Sequence, residues 1–314
     1  MRFPYSDDNK RYHTLNRYNR HTYGAKVHKA AIDAGFTCPN IDGSKGVGGC
    51  IYCSGGSGYF TAQEHVSVAE QFRLEEERIR AKYPDALITA YFQAHTNTYS
   101  DTDTLERLWH EAVDAGAHSL AVATRADCID EEKVRLLSSL GVPVTVELGL
   151  QTMHDSTAAL INRCHTTADF LRGYELLRKH GLRVCVHIIN GLPSEDIPMM
   201  LSTAEELGKL RPDGVKIHLM HVIEGTALAQ MYLSGGYIPM EKQDYIETVV
   251  RQLELLPPET VIERLTGDGD KSTLLAPQWS RDKISVLGGI DKRMAELDTW
   301  QGRKYKLESD GENI

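Results

Sequence analysis

The sequence has no apolar stretch approaching the ~20 residues that carry a helix across a bilayer; the run around residues 119–124 falls far short of it. Its first residues, Met1-Arg2-Phe3-Pro4-Tyr5-Ser6-Asp7-Asp8, hold no apolar core of a secretory signal, so a reducing cytoplasm is the expected compartment. There is no surplus of positive charge: 35 Lys and Arg stand against 44 Asp and Glu, a net −9, which argues against a generic electrostatic nucleic-acid binder. Internal repeats and low-complexity tracts are absent. With 41% hydrophobic and 25% charged residues, the composition is that of a globular protein, not of a collagen, a disordered chain or a disulfide scaffold. Six cysteines in an expected reducing compartment then need a purpose other than disulfides.

A chain of 314 residues admits about two domains or a single α/β barrel. Short β-branched runs alternate with longer amphipathic ones, the pattern of parallel βαβ units. Strands are expected at 27–32, 87–93, 119–124, 144–150, 183–189 and 214–219. Helices are expected at 68–83, 104–115, 131–140, 168–180 and 199–210. Asp130 is placed to cap the third of them, and Gly116, Gly141 and Gly181 to close three. Later come helical stretches near 226–234 and 244–255, a possible seventh strand at 261–265, and the punctuating pair Pro257-Pro258. The expected architecture is a full or partial βα barrel with extensions at both ends: an arm at 1–24, a core at 25–225, a helical extension capping the barrel at 226–307 and a polar tail at 308–314. In such barrels the chemistry gathers at the C-terminal ends of the strands.

The arm and the strand after it are locally unlike the whole. Between Asn9 and Ile32 lie Lys10, Arg11, Arg17, Arg20, Lys26 and Lys29 with no acid, interleaved with Tyr12, Tyr18, Tyr23, His13, His21 and His28. Basic groups that neutralise phosphates beside aromatic faces that stack on bases suit an RNA contact, or else form a solvated basic face.

After the first strand the chain reads Phe36-Thr37-Cys38-Pro39-Asn40 and continues to Gly49-Cys50-Ile51-Tyr52-Cys53, a Cys-x11-Cys-x2-Cys spacing. A Cys-x2-Cys pair puts two thiolates on one centre, and the glycines between Asp42 and Cys50 let the backbone bring Cys38 round to it. Three thiolates without a fourth suit a four-iron cluster with one iron open to a small molecule; a zinc site closed by a distant His or Cys is the alternative. Cys128, Cys164 and Cys185 have no partner at metal-ligand spacing.

On this triplet the sequence resembles the radical S-adenosylmethionine (SAM) superfamily, whose Cys-x3-Cys-x-aromatic-Cys motif it keeps in its second half, with Tyr52 before Cys53, while lengthening the first gap. The long gap is similar to that of the branch containing Elongator's catalytic subunit and of small bacterial proteins of the YtqA/YhcC type. Further matching segments are Thr124-Arg125-Ala126-Asp127, Glu147-Leu148-Gly149-Leu150-Gln151-Thr152, Ile161-Asn162-Arg163-Cys164-His165, Gly191-Leu192-Pro193-Ser194-Glu195 and Leu274-Leu275-Ala276-Pro277-Gln278-Trp279. The resemblance implies a partial (βα)6 TIM-like barrel whose first loop holds a [4Fe-4S] cluster through Cys38, Cys50 and Cys53. It also implies SAM as cofactor, cleaved reductively to a 5′-deoxyadenosyl radical.

On that scheme Glu147 and Gln151 are expected at the SAM ribose, Gln151 alternatively bonding only its own loop. Arg163 suits the methionyl carboxylate. Arg125 with Asp127 reads more naturally as a local ion pair. The backbone around Ile189 to Gly191 is expected at the adenine, and Gln93, where the superfamily's Gly-Gly-Glu motif is missing, at the amino group. Lys216, His218 and His221 are the candidates to act on substrate, and the segment 263–268 to cap the barrel. The implied activity is processing of the 5-position side chain of tRNA wobble uridine, for example carboxymethylaminomethyl-uridine to aminomethyl-uridine. Its partners would be tRNA and a low-potential electron donor such as flavodoxin or ferredoxin. A coproporphyrinogen-dehydrogenase-like oxidative decarboxylase and a non-catalytic metal-binding partner protein are the alternatives.

Overall fold

The computed structural model describes residues 3–54, 66–267 and 269–306; the tail expected at 308–314 lies outside them. In chain order the elements are α1 (Leu15–Tyr23), β1 (Val27–Ile32), α2 (Val68–Arg80), β2 (Leu87–Phe92), α3 (Thr102–Asp114), β3 (Ser119–Thr124), α4 (Glu131–Ser139), β4 (Val144–Gln151), α5 (Asp155–Leu160), α6 (Thr167–Lys179), β5 (Arg183–Asn190), α7 (Ile197–Leu210), β6 (Gly214–Leu219), β7 (Val222–Ile223), α8 (Ala227–Leu233), α9 (Lys242–Leu255), β8 (Val261–Arg264), β9 (Leu274–Ala276) and α10 (Lys283–Glu296). Seven strands hydrogen-bond in the order β1-β2-β3-β4-β5-β6-β8, while β7 and β9 pair antiparallel in a sheet of their own. Strands that follow one another in sequence and in the sheet, with helices between them, are wound as a βα barrel is wound. The six expected strands are all present, and β8 adds a seventh, parallel to β6 with Gly214 opposite Val261.

The chain forms two compact units. The cysteine-bearing unit comprises Asn19–Leu150 and Asn162–Val186. Its strands are parallel, with Ala30 opposite Ala90 and Ala90 opposite Leu120. β2 (LITAYF) and β3 (SLAVAT) are buried along almost their whole length, as strands covered on both faces must be. In α3, Asp101 accepts from the Thr104 N–H, and Leu105, Trp109 and Ala112 recur at helical spacing on the buried face. Trp109 is fully buried, a contribution of about 2–3 kcal/mol. Asp130 caps α4 through the Lys133 N–H at 3.0 Å, as the sequence predicts, and Thr166 with Asp169 closes a reciprocal capping box on α6. Gly173 lets α6 approach the turn at Ala126, where a Cβ would lie 2.6 Å from the Ala126 carbonyl oxygen.

The C-terminal unit comprises Met1–Tyr18, Gln151–Ile161 and His187–Ile314. Two observations in this unit bear on the residues expected in the arm and in the extension. First, residues expected in a basic arm are packed: Tyr12 and His13 are buried, the His13 N–H donates to Gln301 Oε1 at 2.8 Å, and Thr14 bridges Ile262. Arg11 pairs with Asp298 at 2.9 Å, Lys10 with Asp291, and Arg17 approaches Asp7 at 3.6 Å. Second, the expected capping extension shares a core with the later βα elements, α9 packing on α7 and on α10. In α10, for which no helix was expected from the sequence, Gly289 allows close approach: a Cβ on it would stand 2.5 Å from Ile246 Cδ1 of α9. No helix among the described residues is long and apolar enough to cross a membrane.

Candidate metal centre and cofactor-binding residues

The loop leaving β1 folds back on itself. The Cys38 carbonyl accepts from Ile41 N at 2.8 Å, the Pro39 carbonyl from Lys45 N at 2.9 Å, and the Asn40 carbonyl from Gly49 N at 2.8 Å. That last bond returns Cys50 to the side of Asn40, and the turn Cys53 N to Cys50 O, 2.9 Å, brings round the third thiol. Gly48 and Gly49, at φ 81° and 74°, supply the left-handed backbone that this return requires. All three cysteines are half-buried, and none is in a disulfide. The Cys50 sulfur meets the Asn40 amide at 3.6 Å and the Tyr52 phenol. Burial and the neighbouring Cys53 push its thiol up to about 11.

A cation stands beside these thiols. Arg125, which interacts with Cys38 and Cys50, forms a bidentate pair with Asp127 at 2.9 Å on both arms, the local ion pair read from the sequence. Lys45 joins it at 2.6 Å, and these two partners hold the Asp127 carboxyl down to about 2 despite burial. Among the described residues no three His, Cys, Asp or Glu side chains are gathered as a single metal ion would require. The donor set fits a larger thiolate-bound group: three soft ligands on one loop tied by its own backbone hydrogen bonds, hydrogen-bond donors on one sulfur, and an arginine close by to offset negative charge. Cys128 is buried, its thiol pushed up to about 12 by burial first and by Asp127 second, and Cys185 is buried as well.

The other expected residues of this unit are well bonded. Glu147, fully buried, accepts from Lys29 Nζ at 2.5 Å and from the Tyr91 hydroxyl at 2.7 Å, so both its oxygens are engaged. Arg163 is 2% exposed and donates to the carbonyls of His165 and Leu150, the geometry of a buried strut. Gln93 follows β2, its N–H on the Ile32 carbonyl at 3.3 Å. Sequence reasoning passed over Asn97, which donates to the carbonyls of Ala94 and Ala123 and ties the loop after β2 to β3. It also passed over Asn40 and Asn162, both inside segments quoted for the resemblance.

In the C-terminal unit, Gln151 ends β4 at φ 68° and Ser194 follows β5 at φ 62°, left-handed positions costly for side-chain-bearing residues. The Gly191 N–H faces Met200 Sδ at 3.3 Å and its carbonyl accepts from the Tyr237 hydroxyl at 2.6 Å. Of the backbone expected at the adenine, the Gly191 groups are therefore taken. Glu195 bonds Thr152, with its carboxyl raised by burial. A reciprocal buried amide pair, Asn190 with Gln252 at 2.8 Å each way, was not anticipated. Lys216 and His218 share one face of β6 by their two-residue spacing, and the His218 ring lies 5.2 Å from that of His187. His221 stands apart from them, beyond β6, with its ring within 2.7 Å and 3.2 Å of where Cβ atoms on Gly267 and Gly269 would sit. Of the segment expected as a cap, Asp268 lies outside the described residues.

Two buried imidazoles set an expected pH response. His165 is lowered to about 4 by burial first and then by Arg163 and Arg125; His221 is lowered to about 4 by burial and by Lys283. The fold favours their neutral forms, so the unfolded chain binds more protons between about pH 4 and the ordinary value of 6.5. Stability is then complete above about 6.5 and falls as the pH drops towards 4, by at most about 3 kcal/mol for each group. Glu195 works in the opposite sense. Urea midpoints measured at pH 7.5 and 5 should differ by less in His165→Gln and His221→Gln than in the parent; equal differences would discount both imidazoles.

Comparison with known proteins agrees with this geometry. Residues 41–207 match the model of the radical SAM superfamily, and residues 212–296 that of the Radical_SAM C-terminal domain. The first span begins after Cys38, so the place of that thiol rests on the folded loop. The chain is 42% identical to YtqA of Bacillus subtilis over 97% of its own length and 96% of that protein, and 37% identical to YhcC of Escherichia coli over 87% and 89%. It is 32% identical to the tRNA uridine(34) acetyltransferase of Methanocaldococcus jannaschii over 48% of this chain and 28% of that one. Among solved structures, the Elp3 of Methanocaldococcus infernus with an N-terminal deletion superimposes with a TM-score of 0.69 at 20% identity, over 88% of this chain and 64% of that one, a likeness of fold. The three-thiol loop, the singly wound α/β sheet and these matches place the chain in the radical SAM superfamily, whose cofactors are a [4Fe-4S] cluster and SAM.

Proposed function

We propose that the chain is a radical SAM enzyme that processes the 5-position side chain of the wobble uridine of tRNA in the cytoplasm, for example carboxymethylaminomethyl-uridine to aminomethyl-uridine. Together the two cofactors supply a 5′-deoxyadenosyl radical able to take a hydrogen atom from a substrate carbon. Cys38, Cys50 and Cys53 would hold the cluster, and a donor such as flavodoxin or ferredoxin would supply the electron. Gln151 and the backbone at Ile189 are the groups for SAM's nucleoside, and Lys216 and His218 those for substrate. Neutral near pH 7, His221 can exchange hydrogen bonds but adds no charge.

The observation that carries the tRNA reading is the similarity, over about half of the chain, to a protein named for acting on tRNA uridine 34. The basic region supports it in an altered form. Lys10, Arg11 and Arg17 are engaged with carboxylates, whereas Lys26 and Lys82 both stand over Tyr83, 5.1 Å and 5.3 Å from its centroid, and His28 stacks on that ring at 4.4 Å. Clustered cations beside aromatic rings suit a phosphate backbone.

The test is anaerobic reconstitution followed by incubation with SAM, dithionite and bulk tRNA, with digested nucleosides read by mass spectrometry. A change in a 5-substituted uridine is expected, and Lys26→Glu with Lys82→Glu should weaken tRNA binding and flatten its salt dependence by about two phosphate contacts. Turnover of SAM on another substrate with tRNA unaltered would overturn the reading.

A further inference from the structure

Eleven residues separate Cys38 from Cys50, a long span for a loop that must hold thiolates still. Two asparagines close it in a reciprocal clasp. Asn40 is fully buried. Its side-chain amide has two hydrogens; it donates to the main-chain oxygen of Asn162 and to Cys50 Sγ, at 3.6 Å from the sulfur. Asn162 answers from the other side: its amide donates to the carbonyls of Val47, at 3.1 Å, and Gly49, at 2.7 Å, the latter directly preceding Cys50.

The clasp is itself braced. Asn162 Oδ1 accepts from the Cys164 thiol at 3.1 Å, and Arg125 donates to the carbonyls of Arg163 at 2.9 Å and Cys164 at 3.3 Å. Asn162 and Cys164 stand at φ 54° and 57°, a backbone asparagine tolerates better than most residues. Gly46 leaves the room: a Cβ there would lie 2.3 Å from Asn40 Oδ1 and 2.6 Å from Cys164 Sγ.

We propose that Asn40 is a positioning residue for the iron-sulfur cluster, held by Asn162 so that one amide N–H points at the Cys50 sulfur and raises the cluster's reduction potential. A donor on a ligating sulfur favours the state with the extra electron, because reduction adds negative charge that the N–H dipole stabilises. Asn162 has the complementary task of fixing the loop, so the two residues separate into two measurements. Neither needs to touch SAM or substrate.

The experiment uses the full chain, reconstituted anaerobically, with the midpoint potential followed by electron paramagnetic resonance and cluster loss followed after addition of a chelator. Asn40→Ala and the similarly sized Asn40→Leu, compared at equal iron per chain, should both titrate at a more negative potential than the parent. Asn162→Gly keeps the left-handed backbone and the carbonyl that anchors Asn40; it should surrender iron roughly tenfold faster. A potential unchanged in both Asn40 variants would overturn the role of Asn40, and parental chelation kinetics in Asn162→Gly would overturn that of the clasp.

Discussion

Cys38→Ala, Cys50→Ala and Cys53→Ala, each reconstituted anaerobically, are expected to retain well under the roughly four irons per chain of the intact protein and to release 5′-deoxyadenosine only at background under dithionite. Cys128→Ser and Cys164→Ser should keep both iron and cleavage. The contrast follows from position: the first three thiols ride one loop folded by its own backbone hydrogen bonds, whereas Cys128 is buried and Cys164 donates to Asn162. Circular dichroism should show the α/β fold preserved in every variant, because the loop adds little to the packed core. Full iron and full cleavage in any one of the three alanine variants would remove that cysteine from the ligand set. Stoichiometric zinc in the intact protein, with no cleavage, would overturn the enzyme reading as a whole.

The second large effect is expected at Arg163, and it falls on stability. The residue is 2% exposed, its guanidinium donates to two main-chain carbonyls, and its own carbonyl accepts from Arg125. Arg163→Met leaves two carbonyls buried without donors, each worth about 1–3 kcal/mol, so a loss of about 3–5 kcal/mol is expected by urea titration. Arg163→Lys, with a single point donor in place of a planar fork, should lie between. A residue whose main task were to hold the methionyl carboxylate of SAM would behave otherwise: Arg163→Lys would unfold like the parent and need far more SAM to saturate. That outcome would favour the role at SAM expected from the sequence.

Much of the architecture was legible because its cause is local. Every strand of the expected barrel is a short β-branched or small-residue run closed by turn residues, and Asp130, Gly116, Gly141 and Gly181 mark helix ends by chemistry that does not depend on the rest of the molecule. What escaped depends on tertiary contact. Helix α1 carries six polar or basic residues among nine, so it reads as an arm until Asn19 is seen to be buried. Helix α10 was not placed at all, and the benefit of its Gly289 lies in Ile246, more than forty residues earlier. At the candidate site the thiols were visible by spacing, whereas the amides of Asn40, Asn97 and Asn162 were not, since an asparagine announces a hydrogen bond without saying to which carbonyl. Arg163 shows the converse: a guanidinium is suited equally to a cofactor carboxylate and to peptide oxygens, and the two carbonyls it meets could not be read from its own segment.

The seating of residues 11–14 bears on how the chain is made. His13 bonds Gln301, 288 positions later, and Arg11 meets Asp298. During synthesis at roughly 5–20 residues per second, Tyr12 and His13 leave the ribosome some tens of seconds before their partners exist. All of the cysteine-bearing unit has been made once Val186 has emerged, while the segment ahead of it still lacks its partners. Until residues 298–301 have been made, Tyr12 and His13, both buried in the folded chain, therefore have nowhere to pack, and whatever shields them in that interval has to act on the nascent chain.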